Sequence, residues 1–371
     1  MYLIRQARID DLPILMKLAR MVYFINLPAD SEIITEKILR SRRSFAGQLE
    51  DPDRALFMFV LEDIESGSVV GTSQIVARMG FPEAPNTYFE LRTREMYADD
   101  LQLGAKHMTI QLQSDTDGPT EIGGLILQSN LRGHSEKLGK QLSLIRFHYI
   151  GLHPDRFRDE LLAEMMAPLK PDGSNAFWEY LGRRFINLSY DEADRLSTKS
   201  KTFILNLMPR EEMYLSLLPP EARMLVGRVG EETKPARAML ESLGFEYRHH
   251  VDPFDGGPHL HAKTQDISIV RETRLVSLEG SCPKSRAKGE ALVSYDDESA
   301  GFRAVRTPFQ RSANGKSIRI PREVIRALEV EDGASVGLTV LNDSGGRPSS
   351  TPERSKRSKP GRRRGKRVAS G

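Results

Sequence analysis

The sequence predicts an α+β protein: a body of interleaved helices and strands, a small C-terminal β-rich domain, and a basic tail. Three observations carry this. Through the first 280 residues, the spacing of apolar positions switches repeatedly between the helical period of three to four and the strand period of two. The stretch 279–290, EGSCPKSRAKGE, is polar and rich in Gly and Lys, and it separates that body from several short strands at 291–341. Beyond Asp343, Pro, Gly, Ser, Lys and Arg dominate, a composition that buries too little apolar surface to order itself. The expected organisation is a body at 1–278, a linker at 279–290, a β-rich domain at 291–343 and a disordered tail at 344–371.

Each element follows from local pattern. Tyr2, Leu3 and Ile4 form a short strand, and Asp10 and Asp11 supply N-cap character for a helix whose face is Leu12, Leu15, Met16, Leu18 and Ala19. Residues 31–45 read as a second helix with Ile34, Ile38 and Leu39 on one side. The run 56–61 is a buried strand, 65–67 a turn and 68–77 its hairpin partner. Strands at 88–92 and 106–113 alternate in polarity and end in a turn at 115–119. A strand at 122–127 leads through the loop 128–136 into a helix, where Leu138, Leu142, Ile145, Tyr149 and Leu152 mark an amphipathic face and His153-Pro154 stops it.

A strand at 161–166 follows. Segments 175–185 and 234–245 resemble each other: both read as a helix closed by Leu-Gly and followed by a strand, a weak internal repeat about sixty residues apart. Between them, 190–207 is mostly helical and 208–220 is punctuated by proline. The C-terminal unit comprises strands at 291–295, 302–306, 317–320 and 335–341 with a short helix at 321–328.

The chain has 371 residues, 54 Lys and Arg against 51 Asp and Glu, and a formal charge of +3. Residues 347–371 hold ten of the bases and one acid, a local +9, so the remainder carries 44 bases against 50 acids, a charge of −6. A single cysteine, Cys282, excludes a disulfide scaffold and a cysteine-based zinc site, which fits a reducing cytoplasm. No apolar run approaches the roughly 20 residues that span a bilayer.

The stretch 121–152 is the most informative chemically. A strand ending in a loop that holds Arg132, Gly133, Lys137, Gly139 and Lys140, then running into a helix, sets unpaired backbone N–H groups and cations where a pyrophosphate can bind. An ordinary strand-to-helix turn with a solvated basic face has the same pattern. G-x-G-x-x-G is absent, and the single G-K-S, at Gly315-Lys316-Ser317, lacks the earlier glycine of G-x-x-x-x-G-K-[ST] because Gln310 stands there, which excludes the Rossmann and Walker readings.

Strand, loop and helix here, preceded by a hairpin and followed by a further strand and an N-x-x-[FWY]-type helix, resemble the Gcn5-related N-acyltransferase fold. More narrowly, the chain resembles the arginine N-succinyltransferase family, in order, from about residue 2 to residue 341. The matching positions are 121–127, Leu142-Ser143 with Arg146-Phe147, Ala163-Glu164-Met165, Phe177-Trp178, Gly182 with Phe185, 207–209 and the turn 254–258. That resemblance implies a Gcn5-related body with a tandem-like second helix-strand unit. It also implies transfer of a succinyl group from succinyl-CoA to the α-amine of L-arginine, with succinyl-CoA a co-substrate and no permanently bound cofactor.

Such a site needs pyrophosphate contacts, here expected from Arg132, Gly133, Lys137, Leu138, Gly139 and Lys140. It needs strand-edge hydrogen bonds to pantetheine, here from Leu125, Ile126 and Leu127, and an oxyanion donor from the same strand. A base and an acid complete it. Two departures stand out. The family's phosphate loop is shorter by about two residues and has Gly where Lys137 stands; its proton-donor histidine, in a V-H-P-like context, is Gly230 in this chain. Glu164 is the candidate base, directly or through water, with a buried structural carboxylate as the alternative. His259 is a candidate for the missing acid or base.

His259 and His261 share a strand face, and with His249, His250, Asp252 and Asp255 nearby a metal site can be drawn, but the spacing fits no standard zinc signature and no metal is expected. Arg146, Arg183 and Asp255 are candidate substrate contacts, since a guanidinium fork matches a carboxylate and a carboxylate matches a cation. Arg183, with Arg184, equally suits a solvated helix end, and Arg146 a structural ion pair. Phe177 and Trp178 read as core. The expected assembly is a homo-oligomer off the membrane. Two rival functions remain: acetyl transfer to another amine such as ornithine or a polyamine, and nucleic-acid binding through the tail and residues 317–336, which resemble AbrB-type dimerising DNA-binding domains. Clustered Lys and Arg permit nonspecific nucleic-acid contact, although the tail lacks aromatics for base stacking.

Overall fold

The structure, a computed structural model, describes residues 1–21, 27–197, 200–297, 301–313 and 315–341. The tail expected to be disordered lies outside them. β1 (Tyr2–Gln6) pairs antiparallel with β2 (Leu56–Asp63), Ile4 facing Leu61. Between them, α1 (Leu12–Ala19) and α2 (Ser31–Phe45) cover one face of the sheet. α2 starts where the Asp30 carboxylate accepts the N–H groups of Glu32 and Ile33, satisfying two donors that have no partner within the helix. β3 (Ser68–Val76) completes the predicted hairpin.

β4 (Asn86–Ala98) and β5 (Leu103–Asp115) form a longer hairpin than the pattern suggests, 13 residues a strand, because its outer half is exposed on both faces and shows no alternation to read. β6 (Thr120–Leu127), α3 (Leu138–Leu152) and β7 (Glu160–Glu164) follow as expected.

The internal repeat is only half present. A π turn at Trp178–Gly182 runs into α4 (Arg183–Ile186), and Asn187 then turns the chain in a left-handed conformation into α5 (Tyr190–Ser197) and α6 (Thr202–Leu207). Among the described residues no strand follows the first Leu-Gly before Met213. Phe177, Trp178, Leu181, Ile186 and Tyr190 instead fill a second core with Phe89, Ile110 and Phe254, so tertiary burial overrides the local likeness. β8 (Met213–Tyr214) and α7 (Pro220–Arg223) lead to α8 (Lys234–Ser242), which is followed by a strand, β9 (Glu246–Val251), and then by β10 (Pro258–Lys263) and α9 (Ser268–Glu272).

β11 (Arg274–Ser281), β12 (Gly289–Tyr295), β13 (Arg303–Arg311), β14 (Ser317–Ile320), α10 (Arg322–Leu328) and β15 (Ser335–Leu341) complete the chain. The strand order is β12-β15-β11-β14-β13-β1-β2-β3-β6-β7-β10-β9-β4-β5-β8, and β12 also pairs with β13. Five strands therefore close into a small barrel around Val276, Leu278, Val293, Val305, Ile318, Ile320 and Val336. The boundary expected after residue 278 falls inside β11, which pairs with both β14 and β15. β1 joins the barrel to the body through β13.

α3 differs from its amphipathic pattern. Every residue from 141 to 150 is buried, because the sheet lies on one side and α9 with the C-terminal strands on the other. His148, fully buried, bonds to Thr339 through Nδ1 at 2.6 Å and to Ser294 through Nε2 at 2.7 Å, tying α3 to β15 and β12. Burial first, then His153, pushes its pKa down to about 3. A histidine kept neutral in the fold but free to protonate when unfolded stabilises fully above its unfolded value near 6.5 and loses that contribution as the pH falls toward its folded value. His148→Leu, which strands the Ser294 hydroxyl and leaves Thr339 bonded to Thr273 alone, should therefore lower unfolding free energy at pH 7.5 by about 1–3 kcal/mol. Denaturant titrations of the variant should also show a shallower loss of stability between pH 6.5 and 4 than the wild type does.

Candidate active site

β6 and β7 run parallel only at Thr120–Leu161 and Glu121–Leu162. Beyond that point β6 stays on β3, with Ile126 facing Thr72, while β7 stays on β10, with Glu164 facing His259. From residue 122 on, the edge of β6 turned toward β7 thus has no strand partner. Two features part the strands. A bulge interrupts β3 and β6 between Thr72 and Gln74, where Gly124 takes φ +58° and a Cβ would come within 2.9 Å of the Gln74 side chain. Behind the bulge, buried Arg146 donates to the Gly123 carbonyl at 3.3 Å, to the Ser143 carbonyl at 3.2 Å and to Ser143 Oγ at 2.7 Å.

The far wall is pinned by the turn at 254–258. Asp255 accepts N–H bonds from Ala167 at 2.8 Å and from Gly257 at 2.7 Å, and Asn175 donates to its carbonyl while capping Trp178 N–H. A Cβ on Gly257 would sit 2.0 Å from the Met165 carbonyl oxygen, so only glycine allows β7 and β10 to approach this closely. Trp178 stacks on Phe254 beneath the turn, centroids 5.2 Å apart.

This frame gathers Glu164, Asp252 and His259, whose ligand atoms all lie within 4.8 Å of one another. His259 is 1% exposed and its Nε2 has no hydrogen-bond partner among the described residues; Glu164 Oε1, 3.9 Å away, has none either. Two unpartnered polar atoms, a ring nitrogen and a carboxylate oxygen, thus face one gap that no protein hydrogen bond closes. Burial pushes the His259 pKa down to about 3 despite Asp252, so the ring is neutral near pH 7. Burial and Glu164 raise the Asp252 carboxyl.

Lys201 enters the same group. Burial alone would lower its ammonium, but Glu164, Asp252, Glu121 and Asp194 together raise it. On the other side, Lys37 of α2 is lowered to about 8 by burial, against the attraction of Glu121. Four acidic side chains thus face two ammonium groups and, through Glu121, the buried Arg146 guanidinium, so acids outnumber cations by one. A trio of Glu, Asp and His can also hold a metal ion, but the Lys201 ammonium already supplies positive charge there.

The predicted residues divide accordingly. Glu164 and His259 come together. Leu125, Ile126 and Leu127 lie on the unpaired β6 edge, Ile126 turned into the core. Arg132, Gly133, Lys137 and Lys140 are exposed around the α3 N-terminus with Gly139 partly so; Leu138 is fully buried and offers only its backbone N–H. Arg132 pairs with Glu232 at 2.9 Å. Arg146 and Asp255 spend their polar atoms on holding the walls. Arg183 is exposed and paired with Glu179 at 2.7 Å, away from the cluster.

Sequence reasoning overlooked Glu121 and Asp194 as acids of the site and Lys201 as its cation. Glu121 had a signal, a charge inside a buried strand. Asp194 had another, its position one turn beyond Tyr190 on the inner face of α5. Lys201 had none, since only the turn before α6 directs it inward. A cavity of about 750 Å³ lies elsewhere, on α2 between Leu12, Glu36, Arg40 and Arg54, and none of the clustered residues lines it.

Lys137 caps α3 at φ +53°, ψ +50°, a left-handed conformation that disfavours side chains. Lys137→Gly should raise unfolding free energy by about 1 kcal/mol. If its ammonium contacts pyrophosphate, the same variant should raise the KM for the CoA thioester with kcat retained.

Comparison with known proteins gives a consistent result. Residues 2–269 match the family model described as arginine N-succinyltransferase beta subunit. Subunit alpha of arginine N-succinyltransferase from Pseudomonas aeruginosa is 34% identical over 346 residues, covering 92% of this chain and 100% of that protein. Subunit beta from the same organism is 34% identical over 343 residues, covering 92% and 98%. The solved structure of arginine/ornithine succinyltransferase subunit AI from P. aeruginosa superimposes with a TM-score of 0.79 at 31% identity, covering 92% of this chain and 98% of that one.

Proposed function

The chain belongs to the arginine N-succinyltransferase family, and on that premise we propose that it transfers a succinyl group from succinyl-CoA to the α-amine of L-arginine. The products are N2-succinyl-L-arginine and CoA, and the reaction opens arginine catabolism. The observation that carries this reading is the pair Glu164 and His259, set beside an unpaired strand edge whose loop leads to a cation-rich helix N-terminus.

In this reading β6 binds pantetheine through its free backbone groups, and its N–H groups receive the negative charge that develops on the thioester oxygen. The N-terminus of α3, with Arg132, Lys137 and Lys140, binds the pyrophosphate. The α-ammonium gives up a proton into the gap between Glu164 and His259. The freed amine attacks the thioester carbon, the C–S bond breaks as the tetrahedral intermediate collapses, and the proton that the attacking nitrogen then sheds matches the one the departing thiolate takes up. Lys201 is placed to receive the acceptor's α-carboxylate.

Names of alpha and beta subunits among the relatives support a multi-subunit assembly, and since one chain matches both at 34%, we read this one as a homo-oligomer. Among the described residues no helix is long and apolar enough to cross a membrane; the cytoplasmic assignment rests on cysteine usage. Acetyl transfer to another amine and a nucleic-acid-binding role are not favoured, because the likeness to succinyltransferases spans body and barrel together.

Purified protein with succinyl-CoA and L-arginine should release free thiol and a product of the expected mass, with acetyl-CoA giving a far lower rate; the reverse donor preference would sink the reading. Glu164→Gln should reduce turnover by about 100-fold or more, and a near-normal rate would remove it as the base. Gly230 tests the acid. Its N–H donates to the Met166 carbonyl at the end of β7, and an added Cβ would meet nothing nearer than 3.8 Å. Gly230→His should therefore fold, and kcat should rise if thiolate protonation limits the native enzyme.

A further inference from the structure

The inner face of α5 brings Asp194 within reach of Asp252 and Lys201, both of which also act on Glu164. Tyr190, one turn earlier, is buried in the second core and feels Asp255, Asp194 and Asp252, which sets this face of the helix against the 252–255 turn. Asp194 Oδ1 is closed off from solvent and has no hydrogen-bond partner among the described residues. Resting on the reading above, we propose that Asp194 seats the cationic side-chain end of the amino-acid acceptor and so selects a guanidinium over a neutral group of the same length.

The chemistry is bipolar. At one end Glu164 and the orphaned, 1% exposed His259 Nε2 face the gap that takes the amine. At the other end Asp194 Oδ1, closed off from solvent and without a hydrogen-bond partner among the described residues, lies where a charge-assisted bond to a guanidinium is strong. Asp252 and Lys201 act on both ends: each shifts Asp194, and each interacts with Glu164 or His259.

The unliganded state of Asp194 fits this role. Burial first, then Asp252 and Asp191, raise its carboxyl to about 7, with Lys201 opposing and Asp255 also in range. Below that pH the group is protonated and neutral, and its hold on a cation is lost; above it the carboxylate is present. A guanidinium stays charged throughout.

L-citrulline, with a neutral ureido group in place of the guanidinium, supplies the comparison. Wild-type protein should prefer L-arginine in kcat/KM. Asp194→Asn should lower that value about 30-fold for arginine, while citrulline stays within about threefold and kcat at saturating arginine changes little. In the wild type the arginine-to-citrulline ratio should fall as pH drops below about 7, and in the variant it should be flat. Proton terms of the α-amine and the base are common to both acceptors and cancel in the ratio. An unchanged ratio in Asp194→Asn, with circular dichroism and melting temperature intact, would overturn the proposal. If the wild type shows no transfer to arginine, the parent reading falls. Calorimetric binding of L-arginine to wild type and variant then decides this inference alone: equal affinities overturn it, and a loss in the variant supports it.

Discussion

Everything at the site depends on β6 and β7 ceasing to pair after Glu121 and Leu162. A parallel pair that continued would use up the β6 backbone groups and bury the space between the strands. Parting them leaves polar backbone groups without sheet partners, and the fold compensates on both sides. Arg146 takes one carbonyl from behind, and Asp255 fastens the end of β7 to the turn before β10. The same register that follows from Gly257's close approach sets His259 opposite Glu164. Opening of the strand pair and placement of the candidate base are one geometric event.

α3 transmits that geometry to the rest of the molecule. Its N-terminus lies at the loop proposed to hold pyrophosphate, its middle supports the bulge through Ser143 and Arg146, and its last turns are tied to the barrel through His148. The barrel is joined to the body a second time through β1 and β13. Damage to the C-terminal strands therefore acts on the floor beneath the site, not only on a peripheral module.

Charge is distributed to match. The near-neutral total conceals a body at −6 and a tail at +9, and within the body the acids converge where a cationic acceptor has to enter. Burial keeps these carboxylates from being satisfied by water, so Lys201 and Lys37 act as resident counterions that limit, without cancelling, the negative potential. A basic loop at the opposite edge of the same opening suits a polyanionic co-substrate.

Elements whose neighbours lie close in sequence were legible: the β2–β3 hairpin, α2, the β6–loop–α3 unit, and the strands of the C-terminal run. Glu164 and His259 were legible as candidates through the family resemblance and strand spacing. What failed were inferences that depend on distant cover. The 175–185 segment imitates 234–245 locally, yet it leads into helices because Phe254 and Phe89 complete a core around it; α3 shows an apolar stripe, yet the side that the sheet leaves open is covered by α9 and the C-terminal strands, more than 100 residues away. By itself the sequence determined the periodicities, the turns, the split of charge between body and tail, and the family, but not the cap it suggested for α1, since the Asp11 carboxylate is taken by Arg5 and the Arg8 N–H. Only the tertiary structure decided which ionisable groups gather around Glu164 and His259, and that Asp252 and Lys201 are among them. Desolvation and charge coupling act across space, between side chains that no local pattern connects.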